Sequence, residues 1–184
     1  MGQRWVRDGG WNYETWAFRA QDFLNLIAPV QSIEWIDPDD EIQWIAPYQS
    51  NAFMVHTRLD KFPDTVRVLR KLKKNHSLLL TPVVKLIEGG EGFLAIKGVS
   101  DKTHGTSYIA AVFNAEKLFQ PLLRQSLFQG YSFTIQQNGV ILYQRGEKMS
   151  SKTSPYVKTL TVKIKNVDWK LTVWPSLGEI RTMK

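Results

Sequence analysis

The chain has 184 residues, of which 43% are hydrophobic and 22% are charged, and it carries a net charge of +7 and no cysteine. This length suits one domain with an added helix, and the composition excludes a disordered or low-complexity chain. The lack of cysteine excludes a disulfide framework, a thiolate zinc site and a cysteine nucleophile.

The hydropathy pattern contains no membrane-spanning signal. No run of about 18 uninterrupted apolar residues is present, and residues 1–10 lack the apolar stretch of a secretory signal. We interpret the chain as a piece excised from a longer protein, and we expect it to meet a membrane only through segments outside this sequence.

The positive charge is concentrated in one segment. Seven cations lie on or beside a predicted helix from about Asp60 to Asn75, namely Arg58, Lys61, Arg67, Arg70, Lys71, Lys73 and Lys74. Its apolar positions Phe62, Val66, Leu69 and Leu72 form the opposite stripe. A solvated helix face accounts for this pattern better than a nucleic-acid interface, whose affinity would fall steeply with salt. We therefore expect no specific nucleic-acid binding.

The first elements along the chain are a helix and a hairpin. Apolar residues recur at helical spacing from about residue 11 to residue 28, and Pro29 ends the run. Two short apolar strands, Ile33–Ile36 and Ile42–Ile45, flank Asp37–Asp40, whose Asp and Pro residues favour a tight turn.

The middle of the chain alternates between helix and strand. Residues 48–56 show no clear period and precede the basic helix. Strands are predicted at Leu79–Ile87 and Phe93–Val99, on either side of a glycine-rich turn at residues 88–92. A further strand is predicted at Ser107–Phe113.

A short helix separates these strands from the last group. Asn114 is predicted to cap a helix that contains Leu118 to Leu127 and ends at Gly130, with Pro121 bending or restarting it.

The last strands form two antiparallel pairs. Residues 131–135 and 140–144 flank Asn138-Gly139, a dipeptide typical of tight hairpins. Residues 156–164 and 168–174 form the final pair. Because the strands follow one another in hairpins without crossover helices, the pattern predicts an α+β fold with an antiparallel sheet.

Several segments, taken in order, resemble a known family. They are residues 33–47 (IEWIDPDDEIQWIAP), Thr81-Pro82, residues 89–94 (GGEGFL), the strand from Tyr108 leading into residues 114–118 (NAEKL), Gly130-Tyr131 and residues 168–175 (DWKLTVWP). Over about residues 12–176 the chain is similar to the extracytoplasmic PAS-like sensor domains of the CHASE and Cache type in bacterial membrane signalling proteins. It departs from them at Lys97-Gly98, where the family often has Pro and an aromatic residue.

This resemblance implies one PAS-like domain over residues 1–184. An N-terminal helix at about residues 11–28 would precede an antiparallel sheet of five or more strands with helices packed on it at about residues 32–175, followed by a short C-terminal extension. The implied location is the periplasmic or extracellular part of an inner-membrane protein. The implied function is non-enzymatic, with ligand occupancy passed to a cytoplasmic diguanylate cyclase or histidine kinase.

An alternative is a ligand-free module of the same fold that acts in dimerisation or protein interaction. Exposed Trp5, Trp11 and Trp16 on the N-terminal helix would suit contact between two copies, because aromatic residues are enriched at interfaces. This alternative predicts a homodimer.

No catalytic, metal or cofactor site is predicted. His56, His76 and His104 lack the spacing of a metal site and are expected in exposed loops. The acidic turn after Ile36 lacks the alternating ligands and glycine of an EF-hand. The glycine-rich turn precedes a strand and not a helix, so it is neither a P-loop nor a dinucleotide-binding loop.

Six residues are candidates for a small-molecule site: Trp44, Tyr48, Asn51, Phe93, Lys97 and Tyr108. Core packing is the simpler alternative for Trp44. Tyr48 and Asn51 lie in an irregular stretch that folds over the pocket mouth in PAS-like sensors. If Lys97 and Tyr108 face the same helices, they offer a cation and a hydroxyl to a carboxylate or other anionic metabolite; otherwise Lys97 points to solvent.

Overall fold

The computed structural model describes residues 12–75, 77–87, 89–101, 105–124, 128–151 and 153–182. Their strands form two antiparallel sheets, and the chain divides into two compact units. Unit 1 contains the residues up to Pro82 together with Phe93–Phe113, and unit 2 contains Val83–Gly92 and the residues from Asn114 onward. Sequence patterns alone show no such division, and a single domain over residues 1–184 stays a prediction.

Unit 1 begins with helix α1, Tyr13–Leu26, close to its predicted position. Asn12 caps it, since the Asn12 side-chain oxygen accepts a hydrogen bond from the backbone N–H of Glu14 at 2.7 Å. Trp16 and Ala20 are buried on one face of the helix. The predicted exposure of Trp16 is therefore wrong, because the same helical periodicity that makes α1 amphipathic turns Trp16 toward the sheet.

The sheet of unit 1 is built around strand β1, Val30–Ile36. Its neighbours are β2, Ile42–Ala46, and β6, Gly105–Asn114, both antiparallel to it. Beyond β6 follow β5, Glu91–Asp101, and β3, Leu78–Leu80, so the strand order is β2-β1-β6-β5-β3. The predicted antiparallel hairpins are confirmed.

The connection from β2 to β3 is mostly helical. A short helix α2, Tyr48–Asn51, continues into a 3-10 turn at Ala52–Met54, where sequence patterns show no period. A second 3-10 turn at Leu59–Lys61 leads into α3, Pro63–Asn75.

The apolar stripe of α3 differs from the predicted one. Leu69 and Leu72 are fully buried as expected, but Val68 is buried in place of Val66, which is only half-buried. Phe62 is 37% exposed, because α3 begins at Pro63 and Phe62 lies just before the helix. The start of the helix thus sets which residues share its buried face.

The predicted strand at Leu79–Ile87 is interrupted. After β3 the backbone N–H of Thr81 donates to the carbonyl of Leu94, and the Thr81 hydroxyl accepts from the N–H of Leu94, both at 2.9 Å. Pro82 has no N–H with which to continue the ladder. Pairing resumes only in unit 2, where β4, Val84–Lys85, lies opposite Glu91 and Gly92.

Unit 2 consists mainly of a four-stranded sheet and one helix. Helix α4, Ala115–Leu123, is capped by Asn114, whose side-chain oxygen accepts from the N–H of Lys117 at 3.0 Å. The helix continues through Pro121 and ends two residues later.

The strands of unit 2 are antiparallel hairpins, as predicted. They are β7 at Tyr131–Gln137, β8 at Val140–Arg145, β9 at Lys158–Ile164 and β10 at Val167–Pro175, in the order β8-β7-β10-β9. A short helix α5, Leu177–Thr182, follows. No helix in the described ranges is long and apolar enough to cross a membrane.

Candidate ligand-binding site

The sheet of unit 1 has two buried faces with different partners. On the face toward α1, Ile33, Trp35 and Val99 pack around Trp16 and Ala20 of the helix. We call this the α1 face. On the other side, the α3 face, the sheet packs against Leu59, Val68, Leu69 and Leu72 through Ile36, Ile42, Ile96, Tyr108 and Ala110. Because both faces are covered, the polar side chains of Ser32 and Glu34 on β1 are forced into the interior.

A bulge in β2 assigns its aromatic residue to the α1 face. Trp35 pairs with Trp44 while Ile36 pairs with Ile42, so Gln43 is an extra residue without a counterpart. Ile42 therefore packs on the α3 face, whereas Trp44 packs on the α1 face.

Trp44 belongs to an aromatic cluster. Its ring stacks on Trp35 at 5.8 Å between centroids and lies 5.7 Å from Trp16 and 6.0 Å from Tyr13. Packing between α1 and the sheet accounts for this position, so ligand contact by Trp44 stays a prediction.

Phe93 and Lys97 alternate with residues of the α3 face. Ile96 and Leu94 pack on that face, so Phe93, Lys97 and Val99 point the other way. Phe93 is buried and stacks on Phe113 at 5.1 Å, and Lys97 is exposed.

Lys97 and Tyr108 consequently lie on opposite faces of the sheet. The predicted combination of a cation and a hydroxyl in one site does not form, because alternation along β5 turns Lys97 away from the face on which Tyr108 lies. The sequence alone leaves the register between β5 and β6 open. Lys97 instead points to solvent, which is the alternative expected from its sequence.

Tyr48 and Asn51 lie in the irregular stretch after β2. Tyr48 is 54% exposed. Asn51 is buried, and its side-chain N–H groups donate to the carbonyl of Pro47 at 2.9 Å and to the Ser50 hydroxyl at 3.0 Å. These bonds stabilise the local turn and leave the Asn51 side-chain oxygen for other partners.

Tyr108 carries a buried polar atom without a partner. Its side chain is fully buried on the α3 face, and its hydroxyl has no hydrogen-bond partner among the described residues. Burial, and secondarily the negative charge of Asp40, raises the pKa of Tyr108, so the hydroxyl stays protonated and can donate. Buried polar groups are almost always hydrogen-bonded, which makes this atom a candidate ligand contact.

Glu34 is a buried ionisable residue of the same sheet that the sequence patterns did not single out. It is 4% exposed on β1 and makes no hydrogen bond or ion pair within the described part of the chain. Among the buried residues in that part, it is the only Asp, Glu, Lys, Arg or His. Burial in an apolar surrounding raises the pKa of Glu34 to about 7.

Strand register places Glu34 and Tyr108 on the same face. Glu34 lies opposite Ala110, and Ile36 lies opposite Tyr108. Glu34 and Tyr108 are thus diagonal neighbours across the β1–β6 pair, roughly 7–8 Å apart at the backbone, within reach of one small group between them. The candidate site is therefore the α3 face around Glu34, Tyr108 and Ala110.

A sequence signal for Glu34 does exist. Ile33, Trp35 and Ile36 surround it in an almost continuous apolar run, which is typical of a strand buried on both faces. If β1 is instead assumed to be buried on one face only, alternation predicts that Glu34 is exposed to solvent.

No metal site is found in the described ranges, where no group of three or more His, Asp or Glu side chains converges. His56 is exposed and lies 2.9 Å from a Glu41 carboxylate oxygen. His76 and His104 lie outside the described residues.

The basic segment is only partly paired. Arg58 contacts Asp60 at 3.1 Å and Lys73 contacts Asp40 at 3.2 Å, both with exposed or half-exposed side chains. Arg70, Lys71 and Lys74 are exposed on α3. Such surface pairs contribute little to stability, in keeping with a solvated helix face.

Comparison with known proteins identifies the fold. No family model and no curated protein matches the chain. Among solved structures, an extracellular ligand binding receptor from Desulfohalobium retbaense DSM5692 aligns with a TM-score of 0.70 at 13% identity, over 87% of this chain. This chain spans only 33% of that receptor.

Two smaller sensor domains align over most of their length. The sensor domain of the V. cholerae histidine kinase DctB gives a TM-score of 0.60 at 6% identity, over 89% of this chain and 78% of that one. The ligand binding domain of the Pseudomonas aeruginosa PAO1 chemoreceptor PctC, in complex with GABA, gives 0.54 at 13% identity, over 80% and 74%. The predicted PAS-like, Cache-type α+β fold is confirmed.

Proposed function

We propose that this chain is the extracytoplasmic sensing part of a membrane signalling protein, which binds a small molecule on the α3 face of unit 1 and has no catalytic activity. Its fold is that of extracellular and periplasmic sensor domains, among them parts of histidine kinases and chemoreceptors. A cytoplasmic output domain such as a histidine kinase or a diguanylate cyclase would receive the signal.

One observation carries the ligand-binding proposal. The Tyr108 hydroxyl is buried without a partner among the described residues, and on the same sheet face the Glu34 side chain is 4% exposed and makes no hydrogen bond or ion pair with them. An unsatisfied buried polar group costs about 1–3 kcal/mol. A ligand that supplies the missing partner recovers this free energy and therefore binds more tightly than a ligand that does not.

Strand β1 connects this site to α1. Glu34 faces the α3 side, whereas its neighbour Trp35 packs on the α1 side in the cluster with Trp16. A ligand that draws Glu34 toward itself therefore shifts the surface against which α1 packs. Binding would bias α1 between two positions, and this bias is the signal passed along the chain.

Thermal unfolding in the presence of a panel of amino acids, amines, organic acids, purines and sugars tests the proposal. A ligand at 100 times its dissociation constant adds about 2.7 kcal/mol to the free energy of unfolding. The stabilisation should shrink in Tyr108→Phe and persist in the matched control Tyr156→Phe, whose ring is 42% exposed. Steady conversion of any compound in the panel would contradict the non-catalytic part of the proposal.

A second candidate function is dimerisation through α1. Phe18 and Leu26, about two helical turns apart on α1, are 69% and 82% exposed. These two large apolar side chains offer contacts that a second copy could cover. Trp5 and Trp11 lie outside the described residues.

Sedimentation velocity over a range of concentrations tests this second function. A dimer that Phe18→Glu and Leu26→Glu together dissociate would support it, with Leu160→Glu on β9, another largely exposed apolar residue at 59%, as the matched control. A monomer at all concentrations would exclude it.

A further inference from the structure

We propose that Glu34 and Tyr108 together bind a cationic, hydrogen-bond-donating group of the ligand, such as a primary ammonium, and that this binding is coupled to release of a proton from Glu34. The inference rests on the proposed function and adds the chemical class of the ligand and its dependence on pH. It reverses the expectation of an anionic ligand, which depended on Lys97 lying beside Tyr108.

The charge of the site carries the first step. Glu34 is the only Asp, Glu, Lys, Arg or His among the buried residues that the structure describes, so no buried cation is present there to neutralise an anionic ligand. A ligand carboxylate placed beside Glu34 would meet either a like charge or an acid proton. A ligand ammonium would meet an opposite charge in an apolar surrounding, where ion pairs are strong.

The hydrogen-bonding capacity of the two side chains carries the second step. An ionised carboxylate only accepts hydrogen bonds, and a tyrosine hydroxyl accepts as well as donates. A primary ammonium has three donors. Ala110, directly opposite Glu34 and two residues from Tyr108 along β6, has only a methyl group and so takes up little room beside the two polar side chains.

Proton release follows from the surroundings of Glu34. The buried groups on the α3 face come from every neighbouring element: Ile42 and Ile45 on β2, Ile96 on β5, Ala110 and Tyr108 on β6, Leu59 in the 3-10 turn, and Val68, Leu69 and Leu72 on α3. Tyr108 alone among them is titratable, and Asp40 acts on Tyr108. Burial raises the pKa of Glu34 to about 7.

Below that pH the ligand-free carboxyl is protonated and neutral. An ammonium bound beside a neutral acid would be an unpaired buried charge, which is strongly unfavourable. The cation therefore binds to the ionised form, and one proton leaves Glu34 for each ligand bound at acidic pH. The affinity should rise about tenfold for each pH unit up to about 7 and then level off.

Isothermal titration calorimetry with three probes of similar shape tests this inference: butylammonium, butyrate and butanol. We expect only butylammonium to bind, about 30-fold more tightly at pH 7.5 than at pH 5.5. Repeating the titration at pH 5.5 in two buffers of different ionisation enthalpy counts the protons, and we expect close to one released per ligand.

Two variants assign the effect to its residues. Glu34→Gln should remove both the proton release and most of the affinity, while the matched control Glu14→Gln, an exposed glutamate on α1, should keep both. The proton count on the unmodified protein needs no variant, so the test holds even if Glu34→Gln fails to fold.

The outcomes separate this inference from the proposed function. Binding of butyrate or butanol without butylammonium would overturn the cationic class and leave the sensing function in place. Binding of butylammonium without proton release, or equally to Glu34→Gln, would overturn the role of Glu34. No binding of any of the three probes would overturn the inference, while the wider thermal panel would still decide the sensing function.

Discussion

Glu34 on β1 lies directly opposite Ala110 on β6, so the only buried carboxyl in the described chain has a methyl group as its cross-strand neighbour. Nothing in that pair compensates the carboxyl for its loss of water. Burial without a compensating partner in this pair disfavours the charged carboxylate and raises the pKa of Glu34.

The first prediction is that stability depends on pH through Glu34. Its pKa is about 7 in the folded protein and about 4.5 in the unfolded chain, so the folded state binds more protons between these values. The free energy of unfolding should therefore fall as pH rises from about 4.5 to about 7 and then stay level. The total loss is about 3 kcal/mol.

Urea denaturation across this pH range measures the effect. Because other groups also titrate, the informative quantity is the difference between the unmodified protein and Glu34→Gln. We expect that difference to change steadily up to pH 7, and the same comparison with Glu14→Gln to be flat. A flat difference for Glu34→Gln would mean that the carboxyl reaches water or a partner.

The second prediction concerns Tyr108→Phe. Removing a buried hydroxyl that lacks a partner should raise the free energy of unfolding of the ligand-free protein by about 1 kcal/mol. The same variant should weaken the stabilisation by ligand. Tyr156→Phe, with its ring 42% exposed, should change stability by less than about 0.5 kcal/mol. Destabilisation by Tyr108→Phe would reveal a partner for the hydroxyl.

The third prediction distinguishes packing from ligand contact at Trp44. Trp44→Ala removes a half-buried indole that stacks on Trp35, and we expect a loss of about 2–4 kcal/mol. Trp44→Phe should retain most of the stability and the full ligand response. As a control, Phe18→Ala removes a ring that is 69% exposed and should cost little. Unchanged stability with a lost ligand response would instead make Trp44 a ligand contact.

The fourth prediction concerns Gly146 after β8. Its φ of +89° is strained for other residues, and an added Cβ would lie 2.9 Å from the Cα of Ser132. Ser132 is buried, and its hydroxyl accepts from the N–H of Glu147, so it cannot move freely. Gly146→Ala should therefore destabilise unit 2 by about 3 kcal/mol or more.

Gly139 provides the matched control for this position. It has a similar φ of +82°, but nothing lies within 4 Å of an added Cβ. Gly139→Ala should show only the cost of the left-handed backbone, about 1–2 kcal/mol. Equal effects of the two substitutions in thermal unfolding would show that Ser132 moves aside.

The sequence suffices for the parts of the fold that local chemistry determines. Asn114 as a helix cap and the Asn138-Gly139 hairpin depend on residues close together in the chain, and both are present as predicted. The break at Thr81 is different, because it depends on a side-chain bond to Leu94 thirteen residues away.

The candidate site could be predicted only in part. Tyr108 follows from the search for polar residues on an apolar strand. Lys97 does not join it, because alternation gives the relative faces within one strand and leaves the register between two strands open. Glu34 is missed because one-sided alternation sends it to solvent, whereas helices cover both faces of β1.

The contacts of Trp44 with Trp35 and Trp16 have an optical consequence. Indole rings held 5.8 and 5.7 Å apart couple their electronic transitions, which produces paired bands of opposite sign in circular dichroism. Two of the rings belong to the sheet and one belongs to α1, so the band that involves Trp16 persists only while the helix remains docked. The chain thus contains a built-in spectroscopic label for the movement that would constitute its signal.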